Sequence, residues 1–154
     1  MEFNFYMPVR IVAGENCVRK NAALFAPFGR SALIVTGKSS ARNGSLADVQ
    51  AALASNGQAY AVYDQIPPNP TVGSVEEGAR IAREAGASFV VAVGGGSPMD
   101  AAKAIAMLAR QGSEGSIFTR AIGADVLPMV HVPTTAGTGS EVTPYAILNN
   151  DEKQ

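Results

Sequence analysis

Ser88-Phe89-Val90-Val91-Ala92-Val93-Gly94-Gly95-Gly96-Ser97-Pro98-Met99-Asp100 is the stretch on which the fold turns. Its first six residues are apolar or β-branched with no alternation, the pattern of a strand covered on both faces. Three glycines end the strand. Ser97 suits an N-cap and Pro98 a first helical turn, so a helix is expected from Pro98 to about Arg110. Strand, glycine turn and helix together make one βα unit.

Working outward, the same alternation recurs. Ala32 to Thr36 reads as a second buried strand, ended by Gly37-Lys38-Ser39-Ser40 and a loop to Gly44. Ser45 caps a helix through Ser55 with Leu46, Val49 and Leu53 on one face, and Asn56-Gly57 stops it. Ala59 to Tyr63 is a strand, followed by the turn Ile66-Pro67-Pro68-Asn69-Pro70. Thr71 caps a helix through Glu84 with Val75, Ala79 and Ala82 facing inward, and Gly86 ends it. Gln111 to Asp125 is a polar connector with room for a short helical turn. Met129 to Val132 is a further strand, and Tyr145 to Leu148 reads as a last one. Upstream, Phe3–Met7 and Val9–Val12 read as short strands around Pro8. A helix is expected from Cys17 to about Phe25, closed by Pro27 and Gly29.

Strand-helix alternation with short, solidly apolar strands predicts an α/β fold: a Rossmann-like, doubly wound, mainly parallel sheet with helices on both faces. Ligands of such sheets sit beyond the carboxyl ends of the strands. The loops that matter therefore start at Gly37, Asp64, Gly94 and Pro133.

The 154 residues suit one domain, and a hydrophobic fraction of 47% against 16% charged excludes disorder. A net charge of −1 gives no footprint for nucleic acid and no attraction to an anionic membrane. The single cysteine, Cys17, excludes an internal disulfide. No apolar run reaches the ~18 residues of a membrane span. The opening Met-Glu-Phe-Asn-Phe-Tyr-Met-Pro lacks the basic start of a signal peptide, so a cytoplasmic location is expected.

The glycine loop leaves its main chain free of Cβ atoms and opens a helix whose N–H groups face the crevice, an arrangement that suits phosphate. It is neither G-x-G-x-x-G nor a P-loop, and a tight packing turn is the bland alternative. Asp100 fits a capping box with Ser97 better than direct ligand contact. Lys103 pairs with Asp100 or points at the phosphates; both readings stand. Pro133 to Thr143 adds five hydroxyls, Thr134, Thr135, Thr138, Ser140 and Thr143, as a second polar rim. His131, the only histidine, reads as a packed strand residue rather than a catalytic one. Cys17 reads as an incidental thiol. No nucleophile–histidine–acid set and no metal cluster can be assembled.

Gly94 to Lys103 and Pro133 to Thr143, with Pro68-Asn69-Pro70-Thr71 upstream, resemble the signature segments of the iron-containing (group III) alcohol dehydrogenases. The resemblance covers essentially the whole chain and matches the N-terminal nucleotide-binding half of that family. It implies that residues 1–154 form a dinucleotide-binding domain. Gly95, Gly96 and Ser97 are then expected at the pyrophosphate, and Asn69 near the adenosine end. Thr134, Thr135, Thr138 and Thr143 are expected along the adenosine and nicotinamide-ribose side. Many family members carry an aspartate where Gly37 stands, which binds the ribose hydroxyls of NAD. Here Gly37-Lys38-Ser39-Ser40 offers space, a cation and two hydroxyls instead, with Arg42 close by. That favours NADP(H) over NAD(H), since a carboxylate would repel the 2′-phosphate that a lysine binds.

The family also implies iron or another divalent metal, held by an aspartate and histidines of a downstream helical domain. This stretch has no such ligand set, so alone it is expected to be inactive. In a full-length enzyme the implied substrate is a small alcohol or aldehyde, and a homo-oligomer is possible. The other readings are a non-catalytic dinucleotide-binding module and the cofactor half of a glycerol dehydrogenase-like enzyme. The order Thr-Ala-Gly-Thr-Gly-Ser-Glu within Pro133–Thr143 argues against the latter.

Overall fold

A computed structural model describes residues 2–4, 6–112, 115–119 and 121–151. Four strands, β1 (Ser31–Thr36), β2 (Ala59–Tyr63), β3 (Phe89–Gly94) and β4 (Met129–Pro133), form one sheet in the order β2-β1-β3-β4. All three pairings are parallel. The helices are α1 (Cys17–Lys20), α2 (Ser39–Arg42), α3 (Ser45–Ser55), α4 (Val72–Glu84) and α5 (Gly96–Gln111).

The alternating side chains of the two central strands feed two separate cores. Ala32 and Ile34 of β1, with Phe89, Val91 and Val93 of β3, pack against Val49, Ala52 and Leu53 of α3. Leu33, Val35, Val90 and Ala92 point the other way, to Val75 and Ala79 of α4 and Ile105 and Leu108 of α5. Both faces are covered, which is why these strands are apolar throughout. Each fully buried Leu, Ile or Val contributes roughly 1.5–3 kcal/mol. The edge strands are less covered: Tyr60 and Val62 of β2 stay exposed.

The chain leaves β1 for β2 on one side, then crosses back so that β3 lies on the other side of β1. The sheet is thus doubly wound, and its switch point lies between β1 and β3. Their ends are Thr36 and Gly94.

Several expected elements differ. No strand forms among the described residues of 3–12, where Phe3, Tyr6 and Ile11 are exposed. A lone extended segment has no neighbour to satisfy its backbone, so a run of apolar and aromatic residues alone does not make a strand. Phe5 lies outside the described residues. The helix expected from Cys17 to Phe25 breaks after Lys20 and resumes as a 3-10 helix, Ala22–Phe28. Asn21 leaves helical geometry at φ −114°, and its side-chain amide donates to the Cys17 carbonyl at 2.9 Å. Pro27 then withholds a backbone donor inside the second segment.

Gly44, left-handed at φ 83°, and not Ser45, caps α3. The Ser45 hydroxyl donates instead to Asn43 Oδ1 at 2.7 Å. Tyr145–Leu148 forms no strand; among the described residues the ladder contact nearby is an isolated parallel bridge between Thr71 and Asn149. In the connector after α5, of which Ser113, Glu114 and Arg120 lie outside the described residues, Thr119 N–H bonds the Ser116 carbonyl at 3.2 Å, a single turn. No helix among the described residues is long and apolar enough to cross a membrane.

Candidate cofactor-binding site

Three chain segments meet at the switch point. Thr36 pairs in register with Val93, and Gly94 pairs with Pro133. The loops after β1, β3 and β4 therefore start side by side at one edge of the sheet.

The glycine loop differs from the expected cap. α5 begins at Gly96, its N-cap is Gly95 in extended geometry, and no side chain caps it. Ser97 sits inside the first turn, where its hydroxyl accepts the Asn69 N–H at 3.3 Å. Asp100 does not close a capping box with Ser97; its oxygens are taken by Ser140, Lys103 and Ile147. The contrast with α4 is informative. There the Thr71 hydroxyl accepts from Ser74 N–H at 3.2 Å and Thr71 N–H donates to Ser74 Oγ at 3.0 Å, a closed capping box. The first amides of the sixteen-residue α5 carry no such internal partner. An anion is the complementary occupant.

Each glycine has its own reason. Gly94 has φ +141°, and a Cβ there would come 2.8 Å from Pro98 Cγ, so backbone and packing both demand glycine. A Cβ at Gly95 would lie 3.1 Å from Thr135 Oγ1, and one at Gly96 would lie 3.5 Å from Thr138 Cβ. The threonine rim thus stands directly over the glycine loop. Thr134 N–H donates to the Gly94 carbonyl at 2.8 Å and joins rim to loop. Thr138 is oriented on both sides: its hydroxyl accepts from Ser140 N–H at 3.4 Å and donates to Glu141 at 3.3 Å.

Asn69 adopts a left-handed φ of 58° and lies exposed beside Ser97. Gly37 follows β1 directly, half-buried, and a Cβ there would lie 3.3 Å from the Ile66 carbonyl. Lys38 and Ser39 are exposed at the start of α2. Gly95, Gly96, Ser97, Asn69, Thr134, Thr135 and Thr138 are therefore brought together. Lys38 and Ser39 stand on the neighbouring β1 side. Thr143 follows the 3-10 turn Ser140–Val142 as an exposed, extended residue, and no hydrogen bond among the described residues joins it to the loop.

Ser40, expected as a second hydroxyl on the ribose side, does not serve there: it is fully buried, and its hydroxyl donates to the Val93 carbonyl at 3.2 Å, tying α2 to the end of β3. A serine in a run of small polar residues carries no mark that tells a buried one from an exposed one. His131 shares a face of β4 with Met129, which packs against the α4/α5 core, and its Nδ1 is buried without a hydrogen-bond partner among the described residues. Burial, helped by the Lys103 cation, pushes its pKa down to about 4 against the pull of Glu141 and Asp100. Cys17 is half-buried and free of any disulfide. Two shallow hollows lie elsewhere: one of about 110 Å³ is bounded by Val72, Glu76 and Phe118, the other of about 170 Å³ by Arg19, Ala51 and Ser55.

The family model for iron-containing alcohol dehydrogenase matches residues 8–154. The chain belongs to the iron-containing alcohol dehydrogenase family. Alcohol dehydrogenase 4 of Saccharomyces cerevisiae is 37% identical over 153 residues, covering 97% of this chain and 40% of the yeast protein. Lactaldehyde reductase of Escherichia coli is 35% identical over 129 residues, covering 81% of this chain and 34% of that protein. A crystal structure of an iron-containing alcohol dehydrogenase from Thermotoga maritima superposes with a TM-score of 0.90 at 41% identity, covering 98% of this chain and 43% of that one. The chain thus spans about 40% of the length of the relatives it matches.

The family implies a metal and a nicotinamide cofactor. Among the described residues no three His, Cys, Asp or Glu side chains are grouped to hold a metal ion. The described residues do not fit that ion. They do fit a dinucleotide phosphate, through the uncapped α5 amides and the Cβ-free loop.

Proposed function

We propose that residues 1–154 are the dinucleotide-binding domain of an alcohol dehydrogenase or aldehyde reductase that moves hydride between NADP(H) and a small alcohol or aldehyde. The observation that carries this is the contrast between the two long helices below the switch point. α4 closes its own N-terminus, whereas α5 leaves its N-terminus open under three glycines. The pyrophosphate takes the α5 amides at Gly95, Gly96 and Ser97, and Asn69 borders the adenosine end. Thr134, Thr135, Thr138 and Thr143 supply hydroxyls along the rim toward the nicotinamide ribose.

Cofactor choice rests on the end of β1. Gly37 has no carboxylate to accept the ribose hydroxyls, while Lys38 and Ser39 are exposed and free to meet a 2′-phosphate. A charge-assisted hydrogen bond contributes about 1.5–3 kcal/mol when well placed, and less from an exposed lysine. NAD(H) is the weaker alternative. The residues that would hold a metal lie outside this set, so the chain's own contribution is binding and orienting the cofactor. A cytoplasmic location and a homo-oligomeric assembly belong to the same proposal.

Calorimetric titration of the chain with NADPH and with NADH is the direct test. The expected result is saturable binding of both, with NADPH the tighter by about tenfold or more. Absence of binding by either dinucleotide overturns the reading and leaves the glycine loop as a packing turn.

A further inference from the structure

Below the threonine rim lies a polar cluster that makes no direct claim on a ligand. Ser140 Oγ donates to Asp100 Oδ1 at 2.6 Å, and Ile147 N–H donates to Asp100 Oδ2 at 3.1 Å. Lys103 Nζ donates to the Tyr145 carbonyl at 2.6 Å, to Ser140 Oγ at 2.9 Å and to Asp100 Oδ1 at 3.3 Å. Both carboxylate oxygens and all three ammonium protons are therefore committed within the protein. The side chains are only 15% and 8% exposed, so an unmet charge here would be costly.

The segment that the pair holds is otherwise mostly exposed. Thr134 to Thr138 are exposed, Gly137 and Gly139 take left-handed φ values of 100° and 67°, and Thr143 to Ile147 are exposed again. Asp100 and Lys103, one turn apart on α5, grip this segment at Ser140, at Tyr145 and at Ile147. α5 also begins with Gly96, whose Cα lies under Thr138. One helix thus carries one wall of the groove at its N-terminus and fixes the opposite wall a turn or two later. From Ser140 the restraint passes by its own N–H to the Thr138 hydroxyl.

We propose that Asp100 and Lys103 are positioning residues for the dinucleotide. They set the width of the groove by holding Ser140–Ile147 to the helix that carries Gly96, without touching the ligand. This deepens the cofactor reading above and rests on it. A rim already in place binds more tightly than one that must be ordered on binding.

The test compares the wild-type chain with Lys103→Met and with Ser140→Ala, which removes the grip at Ser140 and leaves the ion pair and the grips at Tyr145 and Ile147 in place. Each is titrated with NADPH and with adenosine 2′-monophosphate, which carries the 2′-phosphate but neither the pyrophosphate nor the nicotinamide ribose. Amide hydrogen exchange is followed across the chain. In Lys103→Met, NADPH affinity is expected to fall about tenfold or more, while that of the monophosphate changes less than about threefold. Amides from Ser140 to Ile147 are expected to exchange at least about tenfold faster, with the β1 and β3 amides unchanged. Ser140→Ala is expected to shift both readings the same way by smaller factors. Weaker NADPH with unchanged exchange at 140–147 overturns the proposal in favour of direct contact. Faster exchange with unchanged NADPH affinity, or equal loss of both ligands, reduces the pair to a stability element and also overturns it. Failure of the wild-type chain to bind NADPH overturns the cofactor reading itself and takes this assignment with it.

Discussion

The Thr36 hydroxyl donates to the Val93 carbonyl at 2.7 Å, joining the last residue of β1 to its register partner on β3 across the switch point. Thr36 is fully buried, and Ser40 donates to the same carbonyl from the opposite end of the first loop turn. The two strands that part to form the crevice are therefore pinned at its floor by side chains as well as by the ladder. The Gly37 and Gly94 loops leave from a fixed spacing.

Thr36→Val keeps the shape and removes one donor. It is expected to destabilise the fold by about 1 kcal/mol, and Ser40→Ala by a similar amount. The double variant removes both side-chain donors to a buried carbonyl, so its loss is expected to exceed the sum by roughly 0.5–1 kcal/mol. Urea denaturation of the four proteins reads this out. Strict additivity would mean that the two hydroxyls act independently.

The glycines of the loop are predicted to separate by role. Gly94→Ala meets both a φ of +141° and the Pro98 ring at 2.8 Å, and is expected to lose about 2 kcal/mol or more of stability. Gly96 is the first helical residue, and its added Cβ makes only ordinary contact with Thr138. Gly96→Val is expected to keep the melting behaviour near wild type and to weaken NADPH about tenfold or more, by filling the space the pyrophosphate needs. Unchanged affinity in Gly96→Val would leave the loop as a turn and nothing else.

Much of this was legible in the residues, for reasons that can be named. β1 and β3 were readable because burial on both faces leaves an uninterrupted apolar run, and α4 because Thr71 and the Val75, Ala79, Ala82 spacing agree. Phe3–Met7 misled because an apolar and aromatic run reports what a strand needs and says nothing of whether a neighbour exists. Asp100 misled because Ser-x-x-Asp describes a cap equally well as a coincidence; Lys103 was a readable partner, but the other two, Ser140 and Ile147, lie 40 and 47 residues away. Contacts of that range leave no local trace. The short helix α2 and the buried Ser40 were hidden for the same reason.

Cofactor choice is predicted to turn on Gly37. NADPH is expected to bind the wild-type chain about ten- to hundredfold more tightly than NADH, a difference of ~1.4–2.8 kcal/mol. Gly37→Asp is expected to reverse the order by adding repulsion and a ribose acceptor. Its Cβ would lie 3.3 Å from the Ile66 carbonyl, so some stability is lost for steric reasons alone. Gly37→Ala carries the same Cβ without the charge and serves as the control. Equal affinities in the wild type, or the same shift in both variants, would retire the assignment.

A polypeptide of residues 1–154 is predicted to show no metal-dependent alcohol oxidation. The motivation is the ligand set: His131 is packed on β4, and no three candidate ligands are grouped among the described residues. A catalytic metal site takes about three protein ligands and an open position. Assays with Fe²⁺ or Zn²⁺, NADP⁺ and a short-chain alcohol are expected to stay at the no-enzyme rate, while NADPH still binds. Saturable, metal-dependent turnover would contradict this.

His131 is predicted to make stability depend on pH over a defined window. Its imidazole sits among α5 and rim groups: burial and the Lys103 cation disfavour its charged form, and Asp100 and Glu141 only partly offset them. The folded-state pKa falls from the ordinary 6.5 to about 4. Between those values the unfolded chain holds the proton and the folded chain does not, so lowering the pH favours unfolding. The contribution is fully present above about pH 6.5 and is lost as the pH falls toward 4, amounting to on the order of 2–3 kcal/mol. His131→Leu removes the titrating group together with its unpartnered Nδ1, and leaves the carboxylates that titrate in the same range. Denaturant unfolding of both proteins at pH 7, 6, 5 and 4 is expected to show the wild type losing more stability than the leucine variant, with the gap opening below pH 6.5. Parallel curves would mean that His131 is solvated and titrates normally.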